Sequence, residues 1–184
     1  NASGIKTGLF TSPHLTYFSE RFLVQGQPLG DPLIASMLHY LKPVAEEIGA
    51  TFFEITTALG CLLFADSDVQ VAVMEVGVGG RVDATNALEP ELSIITGIAL
   101  DHMQYLGDTP EKIAFEKAGI MRANTVCLTG AQGAALLVLE QQAKEKGASL
   151  LSLAKDIQTT LNSMTWKGTS LQIKNTWGDI KVQS

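Results

Sequence analysis

The chain has 184 residues, is 46% hydrophobic and 17% charged, and so can bury the core of one domain, or of one domain plus a small appendage. A net charge of −6, with Lys and Arg scattered, argues against a nucleic-acid partner. No apolar run reaches bilayer length and no signal peptide opens the chain; with two cysteines, Cys61 and Cys127, in apolar runs without metal-type spacing, this points to reduced thiols and a cytoplasmic protein.

Residues 1–4 read as the frayed end of a longer chain, and residues 6–10 as a short strand followed by Thr11-Ser12-Pro13-His14-Leu15. Ser12 therefore stands at a strand's carboxyl end, where open α/β sheets bind their ligands. His14 is either a structural hydrogen-bonder or a direct participant. Residues 17–30 show no period, are punctuated by Gly26, Pro28 and Gly30, and read as a long loop.

Asp31 is expected to cap a helix with Pro32 in its first turn. Leu33, Ile34, Met37, Leu38, Leu41, Val44 and Ile48 form its stripe, Pro43 is expected to kink or break it, and Gly49 ends it. Residues 51–65 predict a second helix, apolar enough to be buried on most sides. Glu54 inside it needs a partner if buried, unless it only caps the first turn.

Residues 69–86, Val-Gln-Val-Ala-Val-Met-Glu-Val-Gly-Val-Gly-Gly-Arg-Val-Asp-Ala-Thr-Asn, begin as a β-branched strand of the kind buried on both faces of a parallel sheet. Glu75 stands where the apolar run ends. Gly77, Gly79 and Gly80 then let the backbone turn tightly and approach a ligand before Arg81, Asp83, Thr85 and Asn86. The plain alternative is a solvated Gly- and Asp-rich turn. A dinucleotide fingerprint, G-x-G-x-x-G, fails because Val82 takes the last glycine position and no helical pattern follows.

Residues 92–98 form another strand, followed at once by Asp101-His102. Thr109 and Pro110 start a helix that ends at Gly119, with Lys117 in its last turn. A strand at 125–129, an amphipathic helix at 131–146 and a strand at 150–153 follow. This alternation predicts a parallel sheet with right-handed crossovers over residues 1–154. From 155 to 184 the pattern changes. Thr159, Thr160, Thr165, Trp166, Leu171, Ile173, Trp177, Ile180 and Val182 alternate with polar residues, which predicts an antiparallel β appendage of the same domain.

Three strand ends thus supply Ser12, Glu75 and His102: a hydroxyl, a carboxylate and an imidazole. These suit a divalent ion that also carries phosphates. Mg²⁺ prefers oxygen and few protein ligands, whereas an imidazole alone would suggest Mn²⁺ or Zn²⁺.

Thr11-Ser12-Pro13-His14-Leu15, Phe53-Glu54, the run from Glu75 to Asn86, Asp101-His102 with Leu106-Gly107, and Glu116-Lys117-Ala118-Gly119-Ile120 occur in this order. Together they resemble the folylpolyglutamate synthase and dihydrofolate synthase proteins of the Mur ligase superfamily. The resemblance implies a three-layer, mostly parallel sheet flanked by helices, as in that superfamily's central ATPase domain. It implies an amide ligase that joins L-glutamate to dihydropteroate or a folate, driven by ATP through an acyl phosphate. Mg²⁺ would be held by Ser12, Glu75 and His102. Lys117 would be the lysine carbamylated by CO₂. The pteridine substrate would lie along Thr51, Phe52, Phe53 and Glu54 and along Val82, Asp83 and Ala84, with Asp83 the foremost acceptor.

The sequence departs from the family in one respect. The phosphate loop G-x-x-x-x-G-K-[ST] is missing, since no Gly-Lys pair occurs. The family's C-terminal domain is missing as well. The chain is therefore expected to be a ligase fragment, inactive by itself. Two other readings stay open: a fragment of a peptidoglycan Mur ligase, and a non-catalytic module that keeps a pteridine or metal site.

Overall fold

In the computed structural model, residues 4–166, 168–175 and 178–183 are described. Asn1 and Trp177, which figure in the expectations above, lie outside them. The chain divides after Leu88 into two compact units.

The first unit is built on a four-stranded sheet in the order β3-β2-β1-β4, with β1 at Thr7–Phe10, β2 at Phe22–Val24, β3 at Gln27–Pro28 and β4 at Val71–Met74. Strands β1 and β4 are parallel, Phe10 facing Met74, while β1 and β2 are antiparallel, Phe10 facing Phe22. The segment expected to be a loop is thus mostly ordered. A 3-10 turn, Phe18–Arg21, leads into the β2–β3 hairpin, whose turn is made by Gln25 and Gly26, both at positive φ. Its strands are too short to leave an alternating pattern in the sequence.

Helix α1, Asp31–Ile48, runs unbroken through Pro43. Its cap is Gly30 rather than Asp31, with Pro at the start, where a missing N–H costs nothing. Helix α2 is Phe52–Asp66, capped by Thr51. Phe10, Phe22, Ile34, Leu59, Leu63 and Phe64 form this unit's core. Strand β4 is not buried on both faces as its composition suggests: Val71 is 46% and Val73 54% exposed. Among the described residues β4 pairs only with β1, so it is an edge strand.

The second unit holds a parallel sheet, β5-β6-β7, of Leu92–Ile95, Val126–Thr129 and Ser149–Ser152. Helices α3 (Met103–Leu106), α4 (Pro110–Lys117) and α5 (Gly133–Lys146) connect these strands, and a 3-10 turn, Ala118–Ile120, follows α4. Ile95, Ala114, Met121, Cys127 and Leu139 lie in its core. Burial pushes the Cys127 thiol up to about 11. The last part of this unit is an antiparallel meander of β8 (Gln158–Thr165), β9 (Gly168–Asn175) and β10 (Gly178–Gln183), with β9 in the middle. Leu171 faces both Leu161 and Val182 across it, as the alternation predicts. The mixed sheet of the first unit and the parallel sheet of the second, with their helices, and the small antiparallel sheet give the expected α/β fold class.

Candidate functional site

Ser12 and Glu75 meet at the carboxyl ends of β1 and β4. The two strands run parallel in register, and the Glu75 N–H continues the ladder to the Phe10 carbonyl at 3.0 Å. The Ser12 N–H then donates to Glu75 Oε2 at 2.7 Å. Neither the Ser12 hydroxyl nor Glu75 Oε1 has a hydrogen-bond partner among the described residues. A hydroxyl and a carboxylate oxygen held side by side and left unclaimed are suitable hard donors for a divalent cation, so this half of the predicted ligand set fits one.

The loop around Ser12 is tied down by Glu20. Its carboxylate accepts from the backbone N–H of Leu15 at 2.7 Å, Tyr17 at 2.8 Å and Thr16 at 3.0 Å. Those amides, Leu15 foremost, hold the Glu20 carboxyl below the usual range. His14 accepts at Nδ1 from Arg21 Nε at 2.8 Å, which puts the proton of a neutral imidazole on Nε2. Arg21 is the functional candidate that the sequence reading missed. It is only 6% exposed and lies 5.5 Å from the Phe52 ring centroid and 6.0 Å from that of Phe18. A lone Arg inside an aperiodic stretch carries no sequence signal of burial.

The glycine-rich turn is organised by Asp83. Oδ2 accepts from the N–H of Gly77 at 3.0 Å and of Val78 at 2.9 Å, while Oδ1 accepts from the Thr85 N–H at 2.9 Å and its hydroxyl at 2.5 Å. Both oxygens expected to await a ligand thus already fold their own loop. The same carboxylate caps the 3-10 turn Ala84–Ala87. Gly77 does not need positive φ. It is required because a Cβ there would lie 2.5 Å from Phe53 Cζ.

Glu54 is exposed, not buried, and its partner is local. Oε2 accepts from the N–H and hydroxyl of Thr51, both at 2.7 Å, and the Glu54 N–H returns to Thr51 Oγ1 at 3.3 Å. This capping box, led by the Thr51 hydroxyl, lowers the pKa of Glu54. Phe52 is 61% exposed, Phe53 is half-buried, and Val82 stands 79% exposed. Glu54 and Ala84 also border an apolar cavity of about 390 Å³ walled by Val44, Ile48, Ile55 and Cys61.

In the second unit His102 takes a left-handed conformation, φ 48° and ψ 36°, as the N-cap of α3. Its N–H donates to Asp101 Oδ1 at 2.7 Å, and its Nε2 lies 3.7 Å from Asp101 Oδ2. Lys117 ends α4, half-buried, and its ammonium has no hydrogen bond or ion pair among the described residues. Nowhere among the described residues do three His, Cys, Asp or Glu side chains converge as a metal cluster. Nor is any helix there long and apolar enough to cross a membrane.

Residues 31–184 match the Mur ligase middle domain. The dihydrofolate synthase/folylpolyglutamate synthase of Bacillus subtilis is 40% identical over 159 residues, 82% of this chain and 37% of that protein. The protein of the same description from Escherichia coli is 38% identical over 149 residues, 81% of this chain and 35% of that protein. The chain thus spans little more than a third of these relatives. The structure of E. coli FolC in complex with DHPP and ADP superposes with a TM-score of 0.90 at 32% identity, over 97% of this chain and 42% of that one. The strand-end Ser12–Glu75 pair and the Asp83-centred turn therefore sit in a chain that belongs to the Mur ligase middle-domain family, on its folylpolyglutamate and dihydrofolate synthase branch.

Proposed function

We propose that the family-length protein carrying this chain is an ATP-dependent ligase that joins L-glutamate to dihydropteroate or a folate, in the cytoplasm. The acid's carboxylate attacks the γ-phosphorus of ATP, forming an acyl phosphate and releasing ADP. The glutamate amine then attacks the acyl carbon, loses a proton and expels phosphate. The observation that carries this reading is the Ser12–Glu75 pair, which keeps two hard oxygen donors unclaimed at the strand ends. Ser12, Glu75 and His102 would hold Mg²⁺, which when bound neutralises phosphate charge. A relative crystallised with Mn, AMPPNP and L-glutamate, and another with AMPPCP and folate, use ligands of this chemistry.

Thr51, Phe52, Phe53 and Glu54, with Val82, Asp83 and Ala84, would bind the pteridine acid. Phe52 offers an exposed ring for stacking, and the Asp83 turn offers a rigid wall. Lys117 would be carbamylated: neutral Nζ attacks CO₂, an N–C bond forms and a proton leaves, turning a cation into an anion with two oxygens.

The test is substitution in the family-length protein. Glu75→Ala and His102→Ala should each abolish turnover and weaken Mn²⁺ binding measured by electron paramagnetic resonance, while leaving the unfolding midpoint nearly unchanged. Wild-type rates and Mn²⁺ affinity in either variant would refute the assignment.

A further inference from the structure

Arg21 is a buried cation without an anion. Among the described residues no carboxylate lies within ion-pair reach of it, and its one hydrogen bond, from Nε to His14, spends a single donor of five. The adjacent Glu20 is turned elsewhere, to the amides of Leu15, Thr16 and Tyr17. Thr57 Oγ1 is the one buried side-chain polar atom without a partner among the described residues, so the remaining guanidinium nitrogens open to solvent and stay accessible to an anion.

The surroundings say what kind of anion would suit it. The rings of Phe18 and Phe52 lie against the guanidinium, so the approach to it is aromatic. The Arg21 carbonyl accepts from the Thr11 N–H at 3.2 Å, which sets Arg21 beside Ser12 at the same sheet end as Glu75. A flat guanidinium with free parallel donors matches a carboxylate in bidentate fashion. We propose that Arg21 is a substrate-binding residue that recognises the aryl carboxylate of a pteroate-type acid, with His14 fixing the guanidinium through Nε. This rests on the ligase reading above and adds the residue that selects an acid.

The experiment compares pteroate with pteroamide, its uncharged amide, by calorimetry on the family-length protein. The wild type should prefer the acid by about 10- to 100-fold, the yield of one charge-assisted pair. Arg21→Gln should erase that preference while still binding the amide, and Arg21→Lys, which keeps the charge but not the fork, should retain part of it. Equal weakening of acid and amide in both variants would make Arg21 purely structural and overturn the proposal. So would an unchanged preference in Arg21→Gln. A loss of ATP affinity with the acid preference intact would give the anion to a phosphate instead and also overturn it. If the wild type binds neither acid nor amide, the ligase reading itself falls, and this inference with it.

Discussion

Replacing Gly77 by Ala isolates the contact that joins the glycine-rich turn to the core. The backbone at Gly77 is not in the left-handed region, so an alanine is conformationally allowed there. The new Cβ would lie 2.5, 2.8 and 3.0 Å from Cζ, Cε1 and Cε2 of Phe53, the first two closer than real Cβ contacts come, so the ring must move. It cannot retreat freely, because its centroid is 6.1 Å from that of Phe10, which is fully buried. Overpacking of this kind costs about 1–3 kcal/mol. The stiffer unfolded chain of the Ala variant returns roughly 0.4–1 kcal/mol. A net loss of about 1–2 kcal/mol is therefore expected for Gly77→Ala. The assay is urea unfolding of the chain, followed by circular dichroism, in the wild-type and Phe53→Leu backgrounds. With the ring removed, Gly77→Ala should become neutral or mildly stabilising, a coupling of about 1–2 kcal/mol between contacting residues. Equal cost in both backgrounds, or no cost in either, would refute the reasoning.

Gly130→Ala should be harsher. Its Cβ would lie 2.1 Å from the Thr96 carbonyl oxygen, a backbone atom that cannot step aside, so a loss of about 3 kcal/mol or more in the free energy of unfolding is expected; wild-type stability would contradict the packing. The Glu54 capping box should make α2 pH-sensitive. The folded pKa is depressed below 4.5, so its stabilisation is present above that value and is lost as pH falls through the folded pKa. Glu54→Ala should then narrow the gap between urea midpoints at neutral and acidic pH, and an unchanged gap would count against the box. For Lys117, ¹³C-bicarbonate should give the family-length protein a carbamate resonance that Lys117→Arg lacks. Full activity in Lys117→Arg would leave only a favourable helix-end charge, worth about 0.3–1 kcal/mol.

Local chemistry wrote much of this molecule into the sequence. The strand before Glu75 is legible because a β-branched run ends abruptly at a polar residue. The helix after Thr51 is legible because Thr51 and Glu54 close a box three residues apart, and the C-terminal meander because Leu161, Leu171 and Val182 alternate with polar neighbours. The motifs carried the family on the same terms, as residue types at fixed spacing. Pairing and burial were decided elsewhere. Whether Val71 and Val73 are covered depends on which strands flank β4, and no property of the strand itself encodes that. The β2–β3 hairpin is held by its register with β1, a long-range pairing that short strands do not announce. Gly77 is small because Phe53, distant in sequence, needs the space. Arg21 is a buried cation only because Phe18, Phe52 and His14 fold over it. In each case at least one deciding contact, Phe52 in the case of Arg21, comes from residues distant in the chain, and such contacts exist only once the chain has folded.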